Sequence, residues 1–286
     1  MEKIQIFIQL TRLNKPIGFL LLFWPCLWGL SLGYYFNSET ALYFQYILLF
    51  FLGSVLMRSA GCIVNDIVDK NIDKKVERTK NRPIASGKIS VLESFIYVGA
   101  LCLLALTVLL QFNKLTIILG MGSMLLAFSY PFMKRITYWP QLFLGLTFNW
   151  GIIMAWTSIT GSLSFEPFVL YLAAIFWTLG YDTIYGLQDI ADDQIIGIKS
   201  TSIKFKKNVK LFVGICYGIC VLLIFLLTIM LDVNKYFFIF LIIFTISLIY
   251  QMKIFDIRHP KSCLRAFRAN NLSGFLMFIN IFTFTY

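Results

Sequence analysis

Long apolar runs alternate with short polar ones along this chain. The apolar blocks fall at about 16–36, 43–64, 91–110, 115–133, 139–159, 166–187, 209–231, 236–252 and 269–285. Each is close to the roughly 20 residues that carry a helix across a bilayer. Backbone N–H and C=O groups in hydrocarbon must bond within their own segment, so blocks of this length are predicted helices, not open strands. Two pairs of blocks are barely separated, around Asn113–Lys114 and around Asp232–Lys235. Each pair is predicted to be a hairpin with a short turn, because a merged segment would be too long for any membrane. The pattern predicts an all-α integral membrane protein of about nine transmembrane helices, forming a single domain over 1–286.

Composition agrees with that reading. Of the residues 59% are hydrophobic and 14% charged, against about 45–50% and 25% in soluble domains. The net charge of +11 would ordinarily raise the question of a nucleic-acid partner. With nine spans, however, 22 of the 25 basic residues fall in connections on one side. Cytoplasmic loops collect Lys and Arg, so that side is predicted to be cytoplasmic, with the amino terminus on it. Topology and anionic lipid account for the charge. No nucleic acid and no obligate protein partner is implied.

The start, Met1 to Lys15, holds Lys3, Arg12 and Lys15 and has no clear small-residue cleavage site. The first block is read as a retained span. Six cysteines without a CxxC pair read as packing residues on a reducing side. The single His259 cannot build a His-based metal site.

The acidic residues carry the chemistry. Seven of the 14 fall in two clusters, Asn65-Asp66-x-x-Asp69-x-x-x-Asp73 and Asp182-x-x-Tyr185-x-x-x-Asp189-x-x-Asp192-Asp193. On a helix, residues three and four apart share a face. Asp66, Asp69 and Asp73 therefore share one face, with Arg58, Asn65 and Asp69 on a stripe beside it. Asp182, Tyr185, Asp189 and Asp193 share another. Each cluster ends a block on the basic side and leads into a basic loop. Acidic helix ends facing water are common, but Arg58 and Asp182 lie deeper, where ionisable groups are costly and face polar cavities. Carboxylates at this spacing can share Mg2+, which takes oxygen ligands and keeps substrate phosphates in its shell. Two such clusters facing a central polar cavity, open to the cytoplasmic side, could hold a diphosphate between metal ions. Neighbouring Lys and Arg would neutralise the rest of its charge. For Arg58 two readings stand: a permanent salt bridge, most simply to Asp182, or a cation reserved for a substrate.

The first cluster followed by Arg78-Thr79-x-x-Arg82-Pro83, and the second followed by Gly197-Ile198-Lys199-Ser200, resemble the two signatures of the UbiA superfamily of membrane prenyltransferases. Arg12-Leu13-x-Lys15-Pro16, Met57-Arg58-Ser59-Ala60-Gly61, Tyr130-Pro131-Phe132-Met133-Lys134-Arg135 and Tyr138-Trp139-Pro140-Gln141 are similar to the branch that prenylates 4-hydroxybenzoate in ubiquinone synthesis. The resemblance implies Mg2+-dependent transfer from a polyprenyl diphosphate to the ring carbon ortho to the acceptor's hydroxyl, in a bacterial inner membrane. It implies Asn65, Asp66, Asp69, Asp189 and Asp193 as metal ligands, with Asp73 and Asp192 behind them. It further implies Lys134, Arg78 and Lys199 toward the diphosphate, Arg58 and Arg135 toward the acceptor carboxylate, and Arg12 as a further substrate-binding residue. Asp182 and Tyr185 would orient a ligand or act as base. Loops within 65–90 and 188–208 could close over the site. Another acceptor (a naphthoate, haem or a glycerol phosphate) and a secondary transporter stay open as alternatives.

Overall fold

The computed structural model describes every residue except Met1, Glu39, Asp232, Asn234, Lys235 and Tyr286. Most of the predicted turn at Asp232–Lys235 thus lies outside the described residues. The helices are α1 (Glu2–Thr11), α2 (Ile17–Phe36), α3 (Thr40–Val68), α4 (Lys70–Asp73), α5 (Val91–Leu109), α6 (Lys114–Ile136), α7 (Pro140–Asn149), α8 (Gly151–Thr160), α9 (Phe165–Gly186), α10 (Ile190–Ile196), α11 (Thr201–Lys204), α12 (Val209–Leu231), α13 (Tyr236–Ile254) and α14 (Pro260–Phe282). Among the described residues eight helical stretches, counting α7 with α8 and α9 with α10 as one each, are long and apolar enough to cross a membrane. The ninth block is α14, whose 23 residues include Lys261, Arg265 and Arg268 in its first half.

Three expectations are corrected. The amino-terminal stretch, given no element of its own in the sequence reading, forms α1, because Phe7 and Leu10 pack on Ala60, Ile63 and Val98 of α3 and α5. The block at 139–159 is two helices jointed at Trp150. The second acidic cluster does not continue one helix, since α9 ends at Gly186 and a 3₁₀ turn over Leu187–Asp189 precedes α10.

Close helix approach is made by small residues, as expected where lipid supplies no hydrophobic drive between helices. A Cβ on Gly29 would lie 2.3 Å from the Ile152 carbonyl oxygen, and one on Gly180 would lie 2.4 Å from the Tyr217 ring. Buried polar pairs add specific ties. Trp177 Nε1 donates to Asn270 at 2.8 Å, Tyr217 Oη to Gln251 at 2.7 Å, and Gln251 to Ser273 at 2.8 Å. These contacts bind α9, α12, α13 and α14 into one wall. A chamber of about 1440 Å³ is lined by α2, α3, α5, α6, α7, α8 and the end of α9, with Leu264, Phe267 and Arg268 of α14.

Candidate active site

The chamber's polar end is built from the two acidic clusters. Asp66, Asp69 and Asp73 are all buried, because the loop that follows folds back over them. Thr79 Oγ1 donates to the Asp73 carbonyl at 3.0 Å. Arg82 Nη1 reaches both Asp66 Oδ1 at 3.0 Å and Asp73 Oδ2 at 2.8 Å. From the other side, Arg12 Nη2 sits 2.5 Å from Asp66 Oδ1. Arg12 has φ 55°, the one non-glycine with positive φ among the described residues. That conformation costs about 1–2 kcal/mol, and a charge-assisted hydrogen bond to a buried carboxylate offsets it.

Asp69 carries an ion pair with Lys134. Its other oxygen is 3.5 Å from Arg135 Nη2 yet is buried without a hydrogen-bond donor. Burial pushes the Asp69 carboxyl up from the usual range, against the pull of Lys134. Arg135 itself donates to the Val68 carbonyl at 2.6 Å. The structure therefore places Arg135 at the acidic rim, about three helical turns along α3 from Arg58.

The second rim is gripped by the first loop. Arg78 Nε donates to Asp189 Oδ1 at 2.7 Å and Oδ2 at 3.0 Å, and Nη2 also meets Oδ2. The same guanidinium lies 6.0 Å over the Tyr185 ring. Asp193 lines the chamber beside it. The second loop is fastened in turn. Lys199 N donates to the Lys134 carbonyl at 2.9 Å, and Lys199 Nζ to the Ile136 carbonyl at 3.2 Å. Ser202 Oγ donates to the Thr183 carbonyl at 2.7 Å. Gly186 permits that approach, since a Cβ there would be 2.4 Å from Ser202 Oγ. Lys134 and Arg78 thus lie on the two carboxylate rims, while Lys199 lines the chamber with its Nζ turned to the Ile136 carbonyl and the Tyr138 ring.

Deeper in the chamber the picture changes. Arg58 makes no ion pair among the described residues, which sets aside the permanent bridge to Asp182. Its Nε is buried without a partner, and its guanidinium lies 5.4 Å over the Phe148 ring. Gly18 leaves it room, since a Cβ there would stand 2.9 Å from Nε. Asp182 also lines the chamber; among the described residues no salt bridge reaches it, although Arg58 lies near enough to feel its charge. Tyr181 Oη is likewise buried and unpartnered. A chamber wall that offers a cation without a salt bridge, beside a carboxylate and a phenol, is suited to a polar ligand bearing an anionic group.

Sequence reasoning gave Arg82 no role, although it stands in the motif it quoted. Its double contact to Asp66 and Asp73 needed the loop's return path. Tyr130 and Phe148 were missed as chamber residues, and Phe148 had no signal beyond lying in an apolar block.

Among the described residues no three His, Cys, Asp or Glu side chains converge on one point. The site is not a closed all-protein cage. Its donors are nevertheless all oxygens, Asn65, Asp66 and Asp69 on one rim and Asp189 and Asp193 on the other, and Asp69 keeps one buried oxygen undonated. Such a set fits Mg2+, which is typically held by one or two carboxylates together with substrate phosphates.

A model of the UbiA prenyltransferase family matches residues 22–282. The chain is 40% identical over 280 residues to a 4-hydroxybenzoate octaprenyltransferase of Coxiella burnetii, covering 98% of this chain and 96% of that protein. It is 42% identical over 287 residues to the human mitochondrial 4-hydroxybenzoate polyprenyltransferase, covering 97% of this chain and 75% of that one. In fold it is similar to a UbiA homolog from Aeropyrum pernix K1, with TM-score 0.77, 21% identity, and 92% and 96% of the two chains covered. A UbiA homolog from Archaeoglobus fulgidus bound to GPP and Mg2+ superposes with TM-score 0.74 at 18% identity, over 98% and 99% of the chains.

Proposed function

This chain belongs to the UbiA prenyltransferase family, and from that premise we propose that it transfers a polyprenyl group from a polyprenyl diphosphate to 4-hydroxybenzoate, at the ring carbon ortho to the hydroxyl. The enzyme works as a multi-pass protein of a bacterial cytoplasmic membrane, with its amino terminus and both carboxylate rims cytoplasmic. The observation that supports the choice of acceptor is Arg58, a half-buried chamber cation whose Nε is buried without a partner and which makes no ion pair among the described residues. The names of the relatives, 4-hydroxybenzoate octaprenyltransferase and polyprenyltransferase, support the same choice.

Asn65, Asp66, Asp69, Asp189 and Asp193 would hold Mg2+. Mg2+ held there would supply Lewis-acid stabilisation of the departing diphosphate. Lys134, Arg78 and Lys199 bind the diphosphate oxygens between the rims, and Arg12 with Arg82 keeps Asp66 and Asp73 in place behind them. Arg58 takes the acceptor carboxylate in a two-pronged contact that a planar guanidinium makes well, and so turns the ring toward the rims. The allylic C–O bond breaks, the diphosphate leaves with both electrons, and the ortho carbon takes the allylic carbon. Asp182, the chamber carboxylate that no salt bridge reaches, then accepts the ring proton. The loops across 74–90 and 194–208 exclude water, which would otherwise trap the allylic cation.

Steady-state kinetics of Arg58→Lys, with product mass spectrometry over a panel of acceptors, tests this. Lys keeps the charge and loses the fork. The KM for 4-hydroxybenzoate is expected to rise about tenfold or more, roughly 1.4 kcal/mol, with little change in the KM for the diphosphate. An unchanged acceptor KM with lost thermal stability, or prenylation of a different acceptor in preference, would overturn the assignment.

A further inference from the structure

Most cations that line the chamber are committed to a carboxylate. Arg12, Arg78, Arg82 and Lys134 each hold an acid of the two rims. Lys15 and Arg268 line the same chamber, yet among the described residues neither side chain makes an ion pair. Both are exposed, and the mechanism above gives them no task. Arg268 does not stand alone. Lys261, Arg265 and Arg268 follow one another on α14 at spacings of four and three, which puts them on one helical stripe. All three are exposed and, among the described residues, without a salt bridge. No carboxylate stands among the lining residues at the start of α2 or on α14. An anion on this side meets positive charge alone, whereas each rim sets acids beside its cations.

The register of α2 on α14 fixes where this stripe ends. Trp24 Nε1 donates to Asn271 Oδ1 at 2.8 Å, Trp28 Nε1 donates to the Gly274 carbonyl at 2.9 Å, and the Tyr35 ring lies 6.1 Å from that of Phe284. The two segments therefore run in the same direction. Arg268, three residues before Asn271, is level with Leu21, three residues before Trp24. Leu21, Gly18 and Lys15 all line the chamber, and Gly18 N donates to the Lys15 carbonyl at 3.2 Å, so one turn separates them. Gly18 is the residue that stands against Arg58, where a Cβ would be 2.9 Å from Nε. The cations without a salt bridge thus form a line, from Lys261 and Arg265 to Arg268 and Lys15, and one turn further to Arg58. Beside Arg268 the wall is aromatic. The Phe267 ring lies 4.4 Å from Tyr185 and 5.8 Å from Tyr181, and all three residues line the chamber. A guanidinium next to flat rings matches an aromatic acid, with carboxylate on cation and ring against ring.

We infer that Arg268 and Lys15 form an outer binding station for the aromatic carboxylate acceptor, which collects the acid from water and passes it one turn inward to Arg58. This rests on the acceptor reading above. The prenyl diphosphate is concentrated in the membrane by its own tail, whereas a small soluble acid has to be gathered from dilute solution. Clustered charge of one sign raises the local concentration and on-rate of a counter-ion by about 10–1000-fold, steeply less at high salt. Lys261 and Arg265 extend that field toward the water. At the exposed station charge alone matters, while at Arg58 the planar fork matters as well.

The test measures KM for 4-hydroxybenzoate and for octaprenyl diphosphate in purified enzyme with Mg2+, at low and high NaCl. Equilibrium dialysis of radiolabelled 4-hydroxybenzoate without the diphosphate gives its Kd in parallel. Arg268→Gln is expected to raise the acceptor KM and Kd at least about fivefold at low salt, with kcat and the diphosphate KM unchanged. It should also flatten the salt dependence that the wild type shows. Arg268→Lys is expected to restore the low-salt values, because the charge is kept. Lys253→Gln removes an exposed cation from the last turn of α13, away from the chamber lining, and is expected to match the wild type. Wild-type acceptor values in Arg268→Gln, an equal rise in Lys253→Gln, or a rise confined to the diphosphate KM overturns the station. Dialysis does not require turnover. Acid that binds through Arg268 without being prenylated would therefore count against the proposed function and not against the station.

Discussion

Asp69 shows how much a single side chain carries. It is buried, it is paired with Lys134, and it retains one oxygen that no donor satisfies. Removing a charge from such a rim is expected to lose at least about a hundredfold in kcat, the scale of other electrostatic catalytic groups. Asp69→Asn and Asp189→Asn are expected to fall nearly as far as the alanine variants, since shape is kept and charge is lost. Chelation should abolish turnover and added Mg2+ restore it, and full activity in metal-free buffer would sink the metal role. Ligands must be deprotonated to bind metal, and burial raises the Asp69 pKa. The Mg2+ requirement should therefore rise as pH falls, beginning above the ordinary Asp range of about 3.9. For the metal-free protein the sign is opposite. A raised native pKa means the folded state binds the extra proton, so Asp69 by itself makes folding more favourable as pH falls through that window. Thermal melts with chelator across pH check this. At this scale Asp66, Asp69, Asp189 and Arg58 were legible as candidates from spacing alone. The grip of Arg12 and Arg82 on the first rim was not.

Helices and their junctions form the next scale. Nine apolar blocks could be read because each satisfies its own backbone. Their close approaches could not, because a glycine in an apolar run reads the same whether it faces lipid or a neighbour. Gly29 and Gly122 illustrate the difference. A Cβ on Gly29 would press into the Ile152 carbonyl at 2.3 Å, whereas one on Gly122 would meet nothing within 4 Å. Overpacking of this kind typically costs about 1–3 kcal/mol. Gly29→Ala is expected to lower the melting temperature of the detergent-solubilised protein, and Gly122→Ala to leave it unchanged or slightly higher. Equal melting of the two would mean that α2 and α8 are not packed as described. Helix α1 escaped sequence reading for a related reason. Its ten residues are too few to read as a span, and what holds it is Phe7 and Leu10 on α3 and α5.

The whole molecule has a polar end and a closed end. All the carboxylate rims and their cations gather at one end, and the aromatic stop at Phe50 and Phe112 lies at the other. The charge asymmetry predicts that the basic loops are cytoplasmic, so Gln111→Cys, exposed in the turn after α5, should react with an impermeant maleimide from outside intact cells. Lys88→Cys, exposed in the basic loop, should react only after the membrane is opened. The reverse pattern would invert the molecule and with it the side from which diphosphate enters.

The sequence by itself determined the class, the spans, the sidedness of charge and the two carboxylate stripes, since each depends on residues within about a dozen positions of one another. Only the tertiary structure decided which cations hold which acids. Arg12 and Asp66 are 54 residues apart and Arg78 and Asp189 are 111 apart, and no local periodicity relates them. It also decided that Arg58 stands unpaired. Sequence left both a salt bridge to Asp182 and a reserved cation open, and the choice depends on how α3 and α9 face one another across a chamber that neither encodes alone.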